Sequence, residues 1–244
     1  MSWTYEIILS NEMDANESTR LYKELLDIKE IKLEKQENNK YISLKISAEN
    51  FHKIRERVVA CLAYHIVKAY KQQYFYKHMV NLSLPQSHVK ALCKALTLFD
   101  MDSDVFHVLN LLPRTGSVVV SSFYLFRLAK LREKWSEFVS VTNINSPYLA
   151  NKEIYIEFLK FLYSVVEPQC EHVNVFYNAN SIVLKDDNNQ ELSERIDIDD
   201  EISLITNLIV LAPNTINLHC IDCFSNKTFK TLYYIFNKKI NLMV

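Results

Sequence analysis

A single glycine, Gly116, serves the whole chain of 244 residues. Average usage of roughly 7% would supply about seventeen. Glycine lets a backbone turn through positive φ without steric cost and lets it come close to a ligand. With one glycine the chain has no Gly-rich phosphate loop, no dinucleotide fingerprint and no nucleophile elbow. It is expected to be a soluble α+β or α/β protein outside those enzyme classes.

Hydrophobic residues make up 49% of the chain, and 28 Lys and Arg nearly balance 29 Asp and Glu. A chain of this length buries a core without disulfide or metal staples. Its near-neutrality excludes a histone-like polyelectrolyte, and its 12% aromatic content excludes a disordered tail. Cys61, Cys93, Cys170, Cys220 and Cys223 are odd in number and scattered, which suits unpaired thiols in a reducing cytosol. The N-terminus carries no basic segment ahead of an apolar one. No run approaches the ~20 apolar residues of a membrane span. A cytoplasmic protein without a membrane span is expected.

Three regions differ in texture. Residues 1–48 predict a β-α-β-β unit: a strand over Trp3 to Leu9, a helix from Asn11 to Leu26, and a hairpin of Ile31 to Glu34 with Tyr41 to Ile46. Asn38-Asn39 supplies its turn, and alternation leaves it one wet face. Residues 49–168 predict a helical body. Its long helix runs from about Glu49 to Val80 with Ser47 as N-cap. Further helices cover Gln86 to Phe99, Val105 to Leu112, Val118 to Val141 and Pro147 to Val166. Residues 169–244 predict a small α/β unit. Strands His172 to Tyr177 and Ile182 to Leu184 precede a helix capped by Asp199 or Asp200 that runs to Leu211. A strand at Ile216 to His219, a helix at Lys227 to Asn237 and a strand at Ile240 to Met243 follow, and this alternation predicts parallel pairing. The fold class is α+β, with the three regions packed on one another.

Three stretches carry a family resemblance. They are Phe123-Tyr124-Leu125-Phe126-Arg127-Leu128, the acidic-aromatic Glu153 to Leu162, and Asp200-Glu201-Ile202 running on through Leu211-Ala212-Pro213 to Ile235-Phe236. Together they resemble the YtxC-like family of sporulation proteins of endospore-forming bacteria. The resemblance covers residues 115–244 well and the first half in overall plan. The shortage of glycine and the pair Cys220 and Cys223 depart from it. It implies a cytosolic protein of a sporulating bacterium and brings no functional residues to carry over.

On the long helix, Ile54, Val58, Cys61, Leu62, His65 and Ala69 cluster on the side expected to face the core. Lys53, Arg57, Tyr64, Lys68, Lys71 and Phe75 cluster opposite. Cations interleaved with aromatics can neutralise phosphates and stack on bases. Arg127, Lys130 and Lys134, beside Phe123, add a second line that could complete a basic groove. A solvated helix face is the plainer expectation, because the chain as a whole is not basic. The residues after Pro168 are acidic, which leaves the remainder net positive.

His219-Cys220-Ile221-Asp222-Cys223 contains a C-x-x-C, but a structural zinc needs two further ligands and no second pair exists. Asp100-x-Asp102-x-Asp104 fails as a calcium loop, with Val105 where Gly belongs and Leu111 where Glu belongs. Capping by Asp102 or Asp104 is expected there. Asp197 to Glu201 enriches acid at a helix start, as the helix dipole favours. The seven histidines form no H-E-x-x-H or H-x-x-x-H pattern, and His65 is expected to be a satisfied core histidine. No catalytic residue, cofactor or metal ligand is assigned. The expected function is non-enzymatic, through contacts with a protein partner. The alternative is nucleic-acid binding through the basic-aromatic groove.

Overall fold

In β1 (Trp3–Ser10) every second side chain, Trp3, Tyr5, Ile7 and Leu9, is buried, the period of a strand with one face on a core. The computed structural model describes residues 3–10, 15–49, 51–79, 82, 84, 86–149, 151–166, 168–178, 181–219 and 224–243. The chain divides into two compact units, Met1–Phe75 with Asp100–Val139, and Tyr76–Phe99 with Ser140–Val244. The architecture is mixed α+β, with a strand-rich start, a helical middle and a C-terminal sheet.

In the first unit β1 is followed by α1 (Ala15–Leu26), β2 (Lys32–Glu37), β3 (Tyr41–Ala48) and the start of α2 (Phe51–Met79). β1 pairs antiparallel with β3, and β3 with β2. The β2–β3 turn is closed by Asn38 Oδ1, which accepts from the N–H groups of Lys40 and Tyr41 at 2.8 and 2.9 Å. Ser47, expected to cap α2, is instead a rung of β3 opposite Thr4 and Lys32. The expected helix over Val118 to Val141 is also broken up. Gly116–Val119 forms β4, parallel to β1, and α5 (Val120–Arg127) follows. The run Val118-Val119-Val120 is β-branched, which weakens helix and favours strand. The sheet order is β2-β3-β1-β4. Trp3 Nε1 fastens β1 to the segment before β4 by donating to the Arg114 carbonyl at 2.9 Å, across 111 residues of chain.

The second unit begins with the end of α2 and α3 (Gln86–Leu98), whereas α4 (Met101–Leu111) lies in the first unit. Helix α6 (Ala129–Leu149) starts in the first unit and finishes in the second. It runs through Pro147, where a new helix was expected to begin, and α7 (Lys152–Val165) opens later. There Asn151 Oδ1 caps the N–H groups of Glu153 and Ile154. The second sheet, ordered β7-β6-β5-β8-β9, is built from β5 (Cys170–Asn178), β6 (Ser181–Lys185), β7 (Ile196–Asp197), β8 (Pro213–His219) and β9 (Ile240–Met243). The β5–β8 and β8–β9 pairs are parallel, as strand-helix-strand alternation predicts. Helix α8 (Glu201–Leu211) is buried almost all round and is capped by Asp200, which accepts from the Ser203 N–H at 3.0 Å. Helix α9 (Asn226–Phe236) is capped by Ser225. Asp100, Asn189, Ala212 and Asn237 hold positive φ without being glycine. Cys220 and Cys223 lie outside the described residues.

Candidate functional site

Two turns of α1 and one turn of α2 bring four chemically active side chains together in the first unit. Glu17 and Glu24 stand seven residues apart on α1, and Cys61 and His65 stand four apart on α2. His65 has no exposure, and a carboxylate approaches each ring nitrogen. Nδ1 lies 3.0 Å from Glu17 Oε2, and Nε2 lies 3.2 Å from Glu24 Oε2. The first contact is a hydrogen bond. The second lacks hydrogen-bond geometry, so Nε2 is buried without a hydrogen-bond partner. The expectation of a satisfied core histidine thus holds at one nitrogen and fails at the other. Cys61 Sγ lies 3.6 Å from Glu24 Oε2.

Charge around the cluster is partly balanced. Arg20 and Lys68 reach Glu17 Oε1 at 3.1 and 3.6 Å. Burial alone would raise the Glu17 carboxyl. The His65 hydrogen bond and the Lys68 and Arg20 charges bring it below the ordinary range instead. Burial and the Glu24 carboxylate push the Cys61 thiol up to about 12. Such a thiol is not an activated nucleophile. Tyr64 meets His65 edge-on, with ring centroids 5.6 Å apart.

A second polar group lies in the core of the same unit. Asp104 is fully buried and accepts from Lys71 Nζ at 2.8 Å, Lys134 Nζ at 2.6 Å and Trp135 Nε1 at 2.9 Å. Lys134 also bridges to Asp100. Desolvation would raise the Asp104 carboxyl, but these donors hold it below the usual range. Desolvation pulls the Lys71 ammonium down, with Asp104 opposing. Desolvation likewise works against the Lys134 ammonium, but Asp100 and Asp104 raise it overall. Beside this group Tyr70 stacks on Tyr124 at 4.1 Å, and Tyr124 and Tyr74 flank Trp135. Capping by Asp102 or Asp104 is therefore a corrected expectation. The N-cap of α4 is Asp100, without a side-chain cap bond, and Asp104 faces inward.

The eight candidate polyanion-binding residues are dispersed over these environments. Lys53 and Arg57 are exposed and, with His52, Arg55 and Glu56, line a depression of about 580 Å³. Arg57 lies 3.7 Å from Glu30. Tyr64 and Lys68 are half-buried beside the Glu17–His65 pair, with Lys68 Nζ 5.4 Å from the Tyr64 ring centre. Lys71 is in the core, which overturns its placement on a wet face. The middle of α2 is largely enclosed, with Leu62, Ala63, Ile66, Val67 and Tyr70 all buried and only Cys61, Tyr64 and Lys68 partly open. Arg127 ends α5 and is exposed, Lys130 is exposed on α6, and Lys134 is held by two aspartates. The helix break at Leu128 separates Arg127 from the other two. Phe123 is buried.

Residues 86–241 match the model of the YtxC-like family. The chain belongs to the YtxC-like family. No curated protein and no solved structure matches it. The family match takes in the helices α3 to α7 and nearly the whole second sheet, and begins upstream of the stretches that carried the resemblance. Glu17, Glu24, Cys61 and His65 all lie outside it, in the part of this YtxC-like chain that precedes residue 86. The one sequence signal for that cluster was Cys61-x-x-x-His65, whose spacing puts a thiol and an imidazole on one helix face. The partner acids from α1 carry no spacing relation to it. Among the described residues no helix is long and apolar enough to cross a membrane.

Proposed function

We propose that this YtxC-like protein is a non-enzymatic sporulation factor that works by binding another protein. The observation behind this is an exposed apolar stripe on the second-unit end of α6. Val141, Ile144 and Tyr148 are 60%, 74% and 62% exposed, at i, i+3 and i+7 on one helical face. Pro147, also exposed, stands between the last two. A contiguous exposed apolar face on a helix marks an interaction surface. The nucleic-acid alternative draws on fewer cations than the sequence counted, because Lys71 and Lys134 are engaged with Asp104.

The test is complementation. The gene is deleted in its source bacterium and heat-resistant spores are counted after return of wild type or of the double variant Ile144→Glu/Tyr148→Glu. Wild type should restore the count. The double variant should not, while accumulating to the same level and unfolding at the same urea midpoint. A deletion without effect on spore count removes the sporulation role. Full complementation by the double variant removes the contact surface.

A further inference from the structure

We propose that Glu24, Cys61 and His65 form a sulfur–nitrogen–oxygen site for a borderline-soft divalent cation of the Zn²⁺ type, with Glu17 orienting the histidine from behind. The three ligand atoms all lie within 4.8 Å of one another. The Nε2–Oε2 and Sγ–Oε2 separations are 3.2 and 3.6 Å. Bonds of about 2.0–2.2 Å to nitrogen and oxygen and about 2.3 Å to sulfur give tetrahedral edges of roughly 3.4–3.6 Å. Two of the three edges therefore stand close to the spacing a tetrahedral ion needs, and the third, between Sγ and the imidazole nitrogen, is within 4.8 Å.

The buried Nε2 is the observation that points to a ligand. Nδ1 shares a hydrogen bond with Glu17, and a neutral imidazole then carries its N–H on that side and a lone pair at Nε2. That lone pair faces a carboxylate oxygen at 3.2 Å without hydrogen-bond geometry. Two lone pairs at that distance repel, and a cation between them turns the repulsion into two bonds. A carboxylate on the far nitrogen is the usual second partner of a metal-bound histidine, fixing its tautomer and ring orientation. Arg20 and Lys68 neutralise Glu17, which leaves Glu24 and Cys61, whose thiol gives up its proton to solvent as the ion binds, to balance a doubly charged ion. Cys61 and His65 are set rigidly by one turn of α2. The Glu24 side chain is 53% exposed, giving the ion a way in and leaving a fourth position to water. Thiolate, imidazole and carboxylate together favour zinc over calcium or magnesium. This site is independent of the α6 contact face.

Co²⁺ is the probe, titrated into the full chain after treatment with chelator. Binding should produce the ultraviolet thiolate-to-cobalt charge-transfer band and the intense visible bands of four-coordinate Co²⁺, and Zn²⁺ should abolish both. Cys61→Ser should remove the charge-transfer band, whereas Cys220→Ser/Cys223→Ser should keep it. Glu17→Gln should weaken binding about 10- to 100-fold, as loss of a partner behind a metal-bound histidine does. Because His65 is buried and its variants can fail to fold, the decisive variant is the half-exposed Glu24→Gln. It should keep the fold, by circular dichroism, and lose about tenfold or more in affinity. Absence of a thiolate band in the wild type at saturating Co²⁺ overturns the proposal. A band unchanged in Cys61→Ser, or an affinity unchanged in Glu24→Gln, overturns it equally.

Discussion

Replacing Asp104 by Ala should be among the most damaging single changes in the first unit. The substitution strips the carboxylate from Lys71, whose side chain is 1% exposed, and from the fully buried Trp135. Lys134 keeps Asp100 and a partly open surface, so its loss is small. Breaking a buried pair by removing one partner costs about 3–5 kcal/mol, because the other charge stays behind uncompensated. An unpartnered indole N–H belongs to the same penalty. Lys71→Met is different, because Asp104 retains Lys134 and Trp135. It should cost at most about 2 kcal/mol. Adding Lys71→Met to Asp104→Ala removes a buried ammonium that has lost the Asp104 carboxylate and should recover about 2 kcal/mol, a coupling within the usual range for contacting residues. Both tryptophans of the chain, Trp3 and Trp135, lie in the first unit, so tryptophan fluorescence follows that unit's unfolding by urea. With a urea slope near roughly 3 kcal/mol/M, a loss of about 4 kcal/mol moves the midpoint by about 1.3 M. A shift in Asp104→Ala worth less than about 1 kcal/mol, or a double variant no more stable than Asp104→Ala, would refute the account of a buried charge held by its donors.

Other expectations follow from the remaining sites. Glu17 is held below its ordinary value, so its stabilising contribution is present above the unfolded value near 4.3 and is lost as pH falls through the folded one. In Glu17→Gln the fall in urea midpoint between pH 7 and acid should accordingly be smaller than in wild type, and an equal fall contradicts this. Ala212 ends α8 at φ 42°, where an L-residue pays about 1–2 kcal/mol that glycine avoids. Since glycine gives back roughly 0.5–1 kcal/mol of chain entropy, Ala212→Gly should raise the second unit's unfolding midpoint, and a lowered midpoint refutes the strain. Among the described residues only Lys53, Arg127 and Lys130 of the eight polyanion candidates are neither aromatic nor near a carboxylate. Fluorescence anisotropy with labelled single-stranded oligonucleotides across a salt series should give weak binding and a log–log slope no steeper than about 2. A steep slope with tight binding would favour the nucleic-acid function over the protein contact.

Periodicity carried the fold further than it carried the site. The alternation in Trp3 to Leu9 and Tyr41 to Ile46, and the helix-strand alternation after Pro213, produced strands and pairings that the structure contains. Short elements were lost. The four residues of β4 sit between helices, and the partner that makes them a strand is β1, far away in sequence. Pro147 misled in the other direction: it stands in the last turn of α6, two residues from its end at Leu149, and does not open a new helix. The helical wheel of α2 assumed one wet side, which is right at Lys53 and Arg57 and wrong at Lys71, where the helix is enclosed. Asp104 looked like a cap because acids at helix starts usually are caps. Only Lys71, Lys134 and Trp135, from other helices, make it a core residue. The Glu17–Glu24–Cys61–His65 cluster joins two helices in the same way. Spacing within one helix was legible, and the meeting of two was not.

The β1–β4 pairing has a consequence for how the protein is made. Ribosomes add roughly 5–20 residues per second, so the 111 residues separating Trp3 from Arg114 take roughly 5 to 20 seconds to appear. Throughout that interval one edge of β1 has no partner, and β3 covers the other only once residues 41–48 have been made. The second unit's first segment, residues 76–99, is meanwhile synthesised ahead of the residues it will join after 140. Neither unit can finish in the order in which it is translated. The nascent chain therefore carries an open strand edge of unpaired N–H and C=O groups through much of its synthesis, the kind of surface that recruits chaperones or pairs with a neighbour on the same message.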